Sequence, residues 1–180
     1  LNLDKILKDM KSIITFLLVF ICFSAFSQTE FKMNEGYLVW QKVFDVNCSP
    51  NELFTFIQSK GYFKEISKTD TTFTAIFEGV EPDYKGFGSS EMSTPIYISR
   101  SFINGGVNIE CRNGRYRVTL TNLTLEQKYN DTLSRQGEKS KIESYSGRKE
   151  IKGSFLKKPA LILNYTFNKI FTFKESSDRW

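Results

Sequence analysis

The sequence predicts an α+β domain of antiparallel strands and packed helices behind an export signal. Three observations predict it. Residues 37–46 (YLVWQKVFDV) are strand-forming throughout and run straight into a capped helix opening at Pro50. Asn113-Gly114 sits at the centre of a segment that folds on itself with both faces consistent. Hydrophobic residues make up 40% of the 180 and aromatics 15%, 17 of them phenylalanine, which is ample for one packed core and too apolar for overall disorder.

Residues 1–27 read as a secretory signal peptide. Lys5, Lys8 and Lys11 precede an apolar run over 13–23 (IITFLLVFICF), and Ala25-Phe26-Ser27 supplies the small-x-small exit before Gln28. The run is shorter than the roughly 20 residues a spanning helix needs. A lipid anchor would need a small residue before Cys22, where Ile21 stands. The expected address is therefore outside the cytoplasm: periplasm, outer-membrane-associated or extracellular. No integral membrane segment is expected after signal removal.

Residues 28–36 form a polar lead-in. In the strand at 37–46, Leu38, Trp40, Phe44 and Val46 share one face, and Tyr37, Val39 and Val43 the other. Ser49-Pro50-Asn51-Glu52 is a capping box with proline at the first helical position, and Leu53, Phe56 and Ile57 follow at helical spacing. Lys60-Gly61 closes that helix. Residues 62–66 carry no decisive pattern. Residues 71–80 alternate as a half-buried strand with Phe73, Ala75 and Phe77 inward. Residues 81–94 hold Pro82, Gly86 and Gly88 and read as a loop; a further strand is expected over 95–102.

Residues 107–120 give the sharpest local signal, because an Asn-Gly pair suits the two φ > 0 positions of a type I′ turn. With 113 and 114 as the turn, Cys111 faces Tyr116, Ile109 faces Val118 and Val107 faces Leu120, all on one side. Arg112 with Arg115, Glu110 with Arg117, and Asn108 with Thr119 fall on the other. A one-residue slip would scramble both faces. Residues 124–154 are poor in large apolar side chains and are expected to be a long, polar, basic loop or a disordered excursion. The C-terminal segment, residues 155–180, fits two patterns over 156–173: a strand alternation, and a helical stripe of Leu156, Ala160, Leu163, Phe167 and Ile170/Phe171 with Pro159 in a first turn.

No histidine occurs anywhere in the chain. This closes Ser-His-Asp and Cys-His catalysis, histidine-ligated metals and histidine proton switches. Gly86-Phe87-Gly88 lacks the rest of a dinucleotide or P-loop fingerprint, and no GxSxG or paired CxxC is present. No catalytic residue, cofactor site or metal site is therefore assigned. Glu78, Glu81 and Asp83 cluster without the spacing of a calcium loop, and they are the groups a histidine-free carboxylate hydrolase would use.

Charge is unevenly divided. Residues 28–111 carry 7 basic and 11 acidic groups, whereas residues 112–180 carry 15 and 7. Arg112, Arg115 and Arg117 gather beside the Asn-Gly turn, with Arg112 facing Arg115. Such a like-charge pair favours solvent or an anion, making the three arginines the anion-binding candidates. Equally, exposed arginines keep a sheet face wet. Mixed signs in the later lysine-rich stretch argue against a polyanion site, and no nucleic-acid partner is expected. Loss of Cys22 with the signal leaves Cys48 and Cys111. In an oxidising compartment they can bridge, or they serve as small buried apolar residues; the sequence leaves both open.

The signal peptide, GYLVWQKVFDV, SPNELFTFI, the hairpin ending NGRYRVTLTNL and the closing Asp178-Arg179-Trp180 together resemble a family of small secreted Gram-negative proteins. That family is a domain of unknown function with a TATA-binding-protein-like (TBP-like) fold. The resemblance covers residues 37–123 best. It implies a β-α-β-β-β-β-α order, a curved antiparallel sheet with helices on one face, and it tips residues 156–173 toward helix. No functional residue carries over from it. The function expected is a non-enzymatic binding or cell-envelope interaction module with an envelope or extracellular partner.

The hairpin register makes a direct prediction. Val118→Asp places a carboxylate on the inward face and is expected to cost roughly 3 kcal/mol or more, whereas Thr119→Asp on the outward face costs under about 1. Urea midpoints that fall together would refute the register.

Overall fold

The computed structural model describes residues 29–45, 48–132 and 134–173. The signal segment 1–27 and Asp178-Arg179-Trp180 lie outside the described residues. The hairpin forms as its sequence dictates: Asn113 and Gly114 take φ of 50° and 71°, joining β5 (Ser101–Arg112) to β6 (Arg115–Gln127). The partners are those expected, from Arg112 opposite Arg115 through Cys111–Tyr116 and Ile109–Val118 to Val107–Leu120.

Strand β2 (Tyr37–Asp45) adds to the free edge of β6, and β4 (Thr72–Val80) to the free edge of β5, both antiparallel. Short β1 (Phe31–Asn34) and β3 (Phe63–Lys68) finish the edges, giving the order β1-β2-β6-β5-β4-β3. A seventh strand among the described residues, β7 (Lys139–Lys141), pairs with the far end of β6 beyond the reach of β2. The chain is thus an α+β domain on one open antiparallel sheet.

Ser49 caps α1 (Pro50–Gln58) through the full reciprocal box: Glu52 N donates to Ser49 Oγ at 3.3 Å, and Ser49 N donates to Glu52 Oε2 at 3.0 Å. Its buried residues are Leu53, Phe54 and Ile57. Phe54, rather than the expected Phe56, reaches the sheet, where its ring centroid lies 5.4 Å from that of Phe73. The ambiguous terminal segment is helical as α5 (Pro159–Phe171), burying Ala160, Leu163, Phe167 and Phe171 against the same face. Phe167 meets Phe31, Trp40 and Phe77 from three strands. The main frame β2-α1-β3-β4-β5-β6-α5 follows the β-α-β-β-β-β-α order.

Polar clamps fix α5 on β2. Trp40 Nε1 donates to Asn164 Oδ1 at 2.8 Å, and Lys42 Nζ to Asn168 Oδ1 at 2.7 Å. Two residues along a strand and four along a helix both advance about 6–7 Å, so alternate strand positions meet i, i+4 helix positions. At the end of α5, buried Tyr116 donates to Phe171 O at 2.5 Å and accepts from Phe173 N at 3.1 Å. Burial pushes its phenol up to about 12.

Three sequence expectations are corrected. The lead-in contains β1, because Phe31 finds a pocket against Phe155 and Phe167. Residues 95–102 are not a strand throughout: Pro95 precedes one helical turn, α2 (Ile96–Ser99), which buries Ile98, and β5 begins only at Ser101. Residues 124–154 are not one long loop. They finish β6, form β7 and α3 (Glu143–Ser146), and lead to α4 (Gly153–Lys157). Ile142 is the apolar anchor, and buried Glu143 is tolerated because its Oε1 accepts the Leu38 N–H at 2.8 Å.

Two bulges bend the sheet at one point of β5. Opposite Asn104, β4 carries an extra residue at positive-φ Gly79, whose N–H donates to Asn104 Oδ1 at 2.8 Å. Opposite Gly105, β6 bulges at Asn122, φ 52°. The strands come so close that a Cβ on Gly105 would lie 2.9 Å from Thr121 O and 3.0 Å from Phe77. On Gly106 the nearest atom would be the Thr121 hydroxyl at 3.3 Å. Gly105→Ala is therefore expected to destabilise by about 2 kcal/mol and Gly106→Ala by less than about 1. Unfolding midpoints that rank the two the other way would contradict the bulge geometry.

Candidate functional site

Helices α1 and α5 cover one face of the sheet, and the hairpin register sends Arg112, Arg115 and Arg117 to the other. There Val43, Thr72, Glu110 and the three arginines line a shallow depression of about 880 Å³ at the hairpin end. The structure brings the three arginines together and also supplies counter-ions. Arg115 Nε lies 2.7 Å from Asp45 Oδ1, and Arg117 grips Glu110 with Nε at 2.9 Å and a second, closer nitrogen. Arg117 holds the Glu110 carboxyl below its ordinary range. These pairs are exposed, so each contributes under about 1 kcal/mol and yields readily to a competing anion. Among the described residues no carboxylate pairs with Arg112, whereas Arg115 and Arg117 each have one.

The Glu110–Arg117 pairing follows from the hairpin arithmetic. Asp45 opposite Arg115 does not, because it depends on β2 joining β6 across some 70 residues of chain.

The acidic trio does not converge. Glu78 sits on β4 with Lys64 Nζ 2.6 Å away, Glu81 binds Lys128, and Asp83 binds Lys169 at 2.6 Å. Lys64 keeps Glu78 below its ordinary range, and Lys169 with the Gly86 N–H does the same for Asp83. Neither is suited to donate a proton as a general acid. Glu81 and Asp83 line a cleft of about 450 Å³ against Lys60, Tyr84 and Lys169. It is an ion-paired seam between the 81–88 loop and the ends of α1 and α5. Buried Lys128, invisible as special in the sequence, anchors that seam: its amine also reaches Ser99 O at 3.4 Å and lies 5.0 Å from the Phe102 ring. Among the described residues no group of three or more Cys, Asp or Glu side chains could hold a metal ion. Nor is any of their helices long and apolar enough to cross a membrane.

Cys48 and Cys111 are half-buried thiols packed on the core. Burial, then the neighbouring Cys48, raises the Cys111 pKa above its ordinary value.

Fold and site together define a class: an α+β domain with one helix-covered sheet face and one open face, bearing no assembled catalytic constellation among the described residues. No family model matches the chain, and no curated protein matches it. Two solved structures are similar to it. One is a TBP-like protein from Parabacteroides distasonis, 17% identical over 77% of this chain and 88% of that one, TM-score 0.47. The other is a DUF4468 family protein from Bacteroides ovatus, 16% identical over 82% and 93%, TM-score 0.45. Likeness at this level carries no argument about activity.

The Asp83 contact gives a pH prediction. Its folded pKa lies below the unfolded value of about 3.9, so its stabilisation is complete above that value and is lost as pH falls through the folded pKa. Asp83→Asn is therefore expected to lower the unfolding midpoint at neutral pH, with the gap to the parent closing as acid protonates Asp83 in the folded state. A gap that stays constant into acid would show that Asp83 acts through packing alone.

Proposed function

We propose that this chain is an exported, non-catalytic binding module of the bacterial cell envelope that receives an acidic partner on its open sheet face at the β5–β6 hairpin. One observation carries the reading: the face opposite α1 and α5 concentrates three arginines, one with no carboxylate partner among the described residues and two held only by exposed pairs. The exposed Val43 beside them, 51% accessible, adds apolar contact area. An acidic group arriving at Arg112 would displace Asp45 or Glu110 at little cost. The lysine-rich signal pattern of residues 1–27 supports export, and the trio Glu78, Glu81 and Asp83, each tied to its own lysine, gives the hydrolase reading no support.

Two measurements test this. A photo-crosslinking side chain at Val43 is expected to trap a discrete partner in intact envelopes, the same group at Leu156 on the helical side to trap none, and Arg112→Glu to cut the yield at Val43 several-fold. Equal labelling at both positions, or a yield indifferent to Arg112→Glu, overturns the assignment of the face. N-terminal sequencing of the native protein is expected to begin at Gln28; an intact leader on a cytoplasmic protein overturns export.

A further inference from the structure

The seam between the 81–88 loop and the ends of α1 and α5 encloses a cleft whose charges do not balance. Lys60, Glu81, Asp83, Lys85 and Lys169 all line it. Both acids are engaged, Glu81 by Lys128 and Asp83 by Lys169 at 2.6 Å. The second oxygen of Asp83 accepts the Gly86 N–H at 2.8 Å. Lys60 and Lys85 are left over, with no carboxylate partner among the described residues. The Lys60 amine rests over the Phe56 ring, 4.2 Å from its centroid, which is a ring contact and not an ion pair.

Tyr84 completes the cleft wall. It is only 8% exposed, with its ring in the core cluster. Yet its hydroxyl has no hydrogen-bond partner among the described residues, and it is not one of the atoms sealed from solvent. A buried tyrosine ordinarily gives its O–H to a partner, as Tyr116 does to Phe171 O. Tyr84 instead carries an unused donor to the cleft it lines. Pro82, Ile170 and the partly exposed Tyr62 ring add apolar wall. A volume of about 450 Å³ is in the range of small-molecule sites and exceeds what a bare ion needs.

We infer that this cleft binds a small organic oxyanion, a carboxylate or phosphate on a compact ring-sized body. The charged head would meet Lys60, Lys85 and the Tyr84 hydroxyl, and the body would lie on Pro82, Ile170 and Tyr62. Lysine serves such a head as a point charge, and the phenol adds one directional donor. The paired groups hold the walls in place: Asp83 ties the loop to α5 through Lys169 and through its own N–H, which donates to Thr166 Oγ1 at 2.9 Å. The donors therefore stand ready without the ligand having to order the loop. This site is separate from the arginine face and does not rest on the acidic-partner reading.

The test titrates phenyl phosphate and benzoate, each alone, into the purified protein and follows backbone amide shifts by NMR. Saturable shifts centred on Lys60, Tyr84 and Lys85 are expected, and the tighter of the two probes identifies the head group. Tyr84→Phe is expected to leave the unfolding midpoint unchanged, because its hydroxyl supports nothing in the fold, and to weaken binding about ten-fold. Lys85→Glu is expected to abolish saturation, and Arg112→Glu to leave it as in the parent. No saturable shift with either probe, shifts that follow the hairpin arginines and vanish with Arg112→Glu, or parental affinity in Tyr84→Phe would overturn the inference. So would a lower unfolding midpoint in Tyr84→Phe, which would assign the hydroxyl to the fold.

Discussion

The structure depends on the seating of α5 against β2. Trp40 is fully buried beneath that helix, yet its indole N–H needs an acceptor, which Asn164 supplies; one turn later Asn168 takes the amine of Lys42. An aromatic core alone could slide, since apolar contact is non-directional. The two directional bonds fix helix and strand to one register, and an unmet indole N–H in that core would cost about 1–3 kcal/mol. Tyr116 locks the far end of α5 in the same manner, tying the helix to β6.

Everything on the other face follows from this one-sided packing. With the apolar side chains of β2, β4, β5 and β6 committed to α1 and α5, the alternating positions carry threonines, arginines and acids into solvent. The paired bulges around Asn104 and Gly105 then bend the strands where β6 leaves β2 for β7. Glu143 meets the Leu38 N–H that this departure leaves without a strand partner. The segment around β7 and α3 is thus part of the sheet's closure, although its composition is that of a surface loop.

The same packing bears on function. Carboxylates that stand close in sequence, Glu78, Glu81 and Asp83, are dispersed among three different lysines, while arginines that alternate along the hairpin are gathered on one open face. Residue chemistry in the sequence is thus a weaker guide than the face a residue occupies, and face is set by register. Where register is local, as in the hairpin, the candidate site is legible: Arg112, Arg115, Arg117 and the Glu110 counter-ion all follow from the Asn-Gly turn. Where it is not, the partners are hidden, as with Asp45 at Arg115 and Lys128 at Glu81.

By itself, the sequence determined the elements whose causes are local. The reciprocal cap at Ser49 and Glu52 set the start of α1, the Asn113-Gly114 turn set the central pair from Arg112–Arg115 out to Val107–Leu120, and period-two alternation set β2 and β4. The absence of histidine set which chemistries are closed. Tertiary structure alone decided the rest. Whether residues 156–173 became helix or strand turned on a sheet face that needed covering, because their apolar positions satisfy both periods. Phe31 became core only because α4 and α5 made a pocket for it, and the 124–154 segment gained order from the unpaired end of β6. In each case the deciding contact lies far away along the chain, and no window of sequence contains both of its halves.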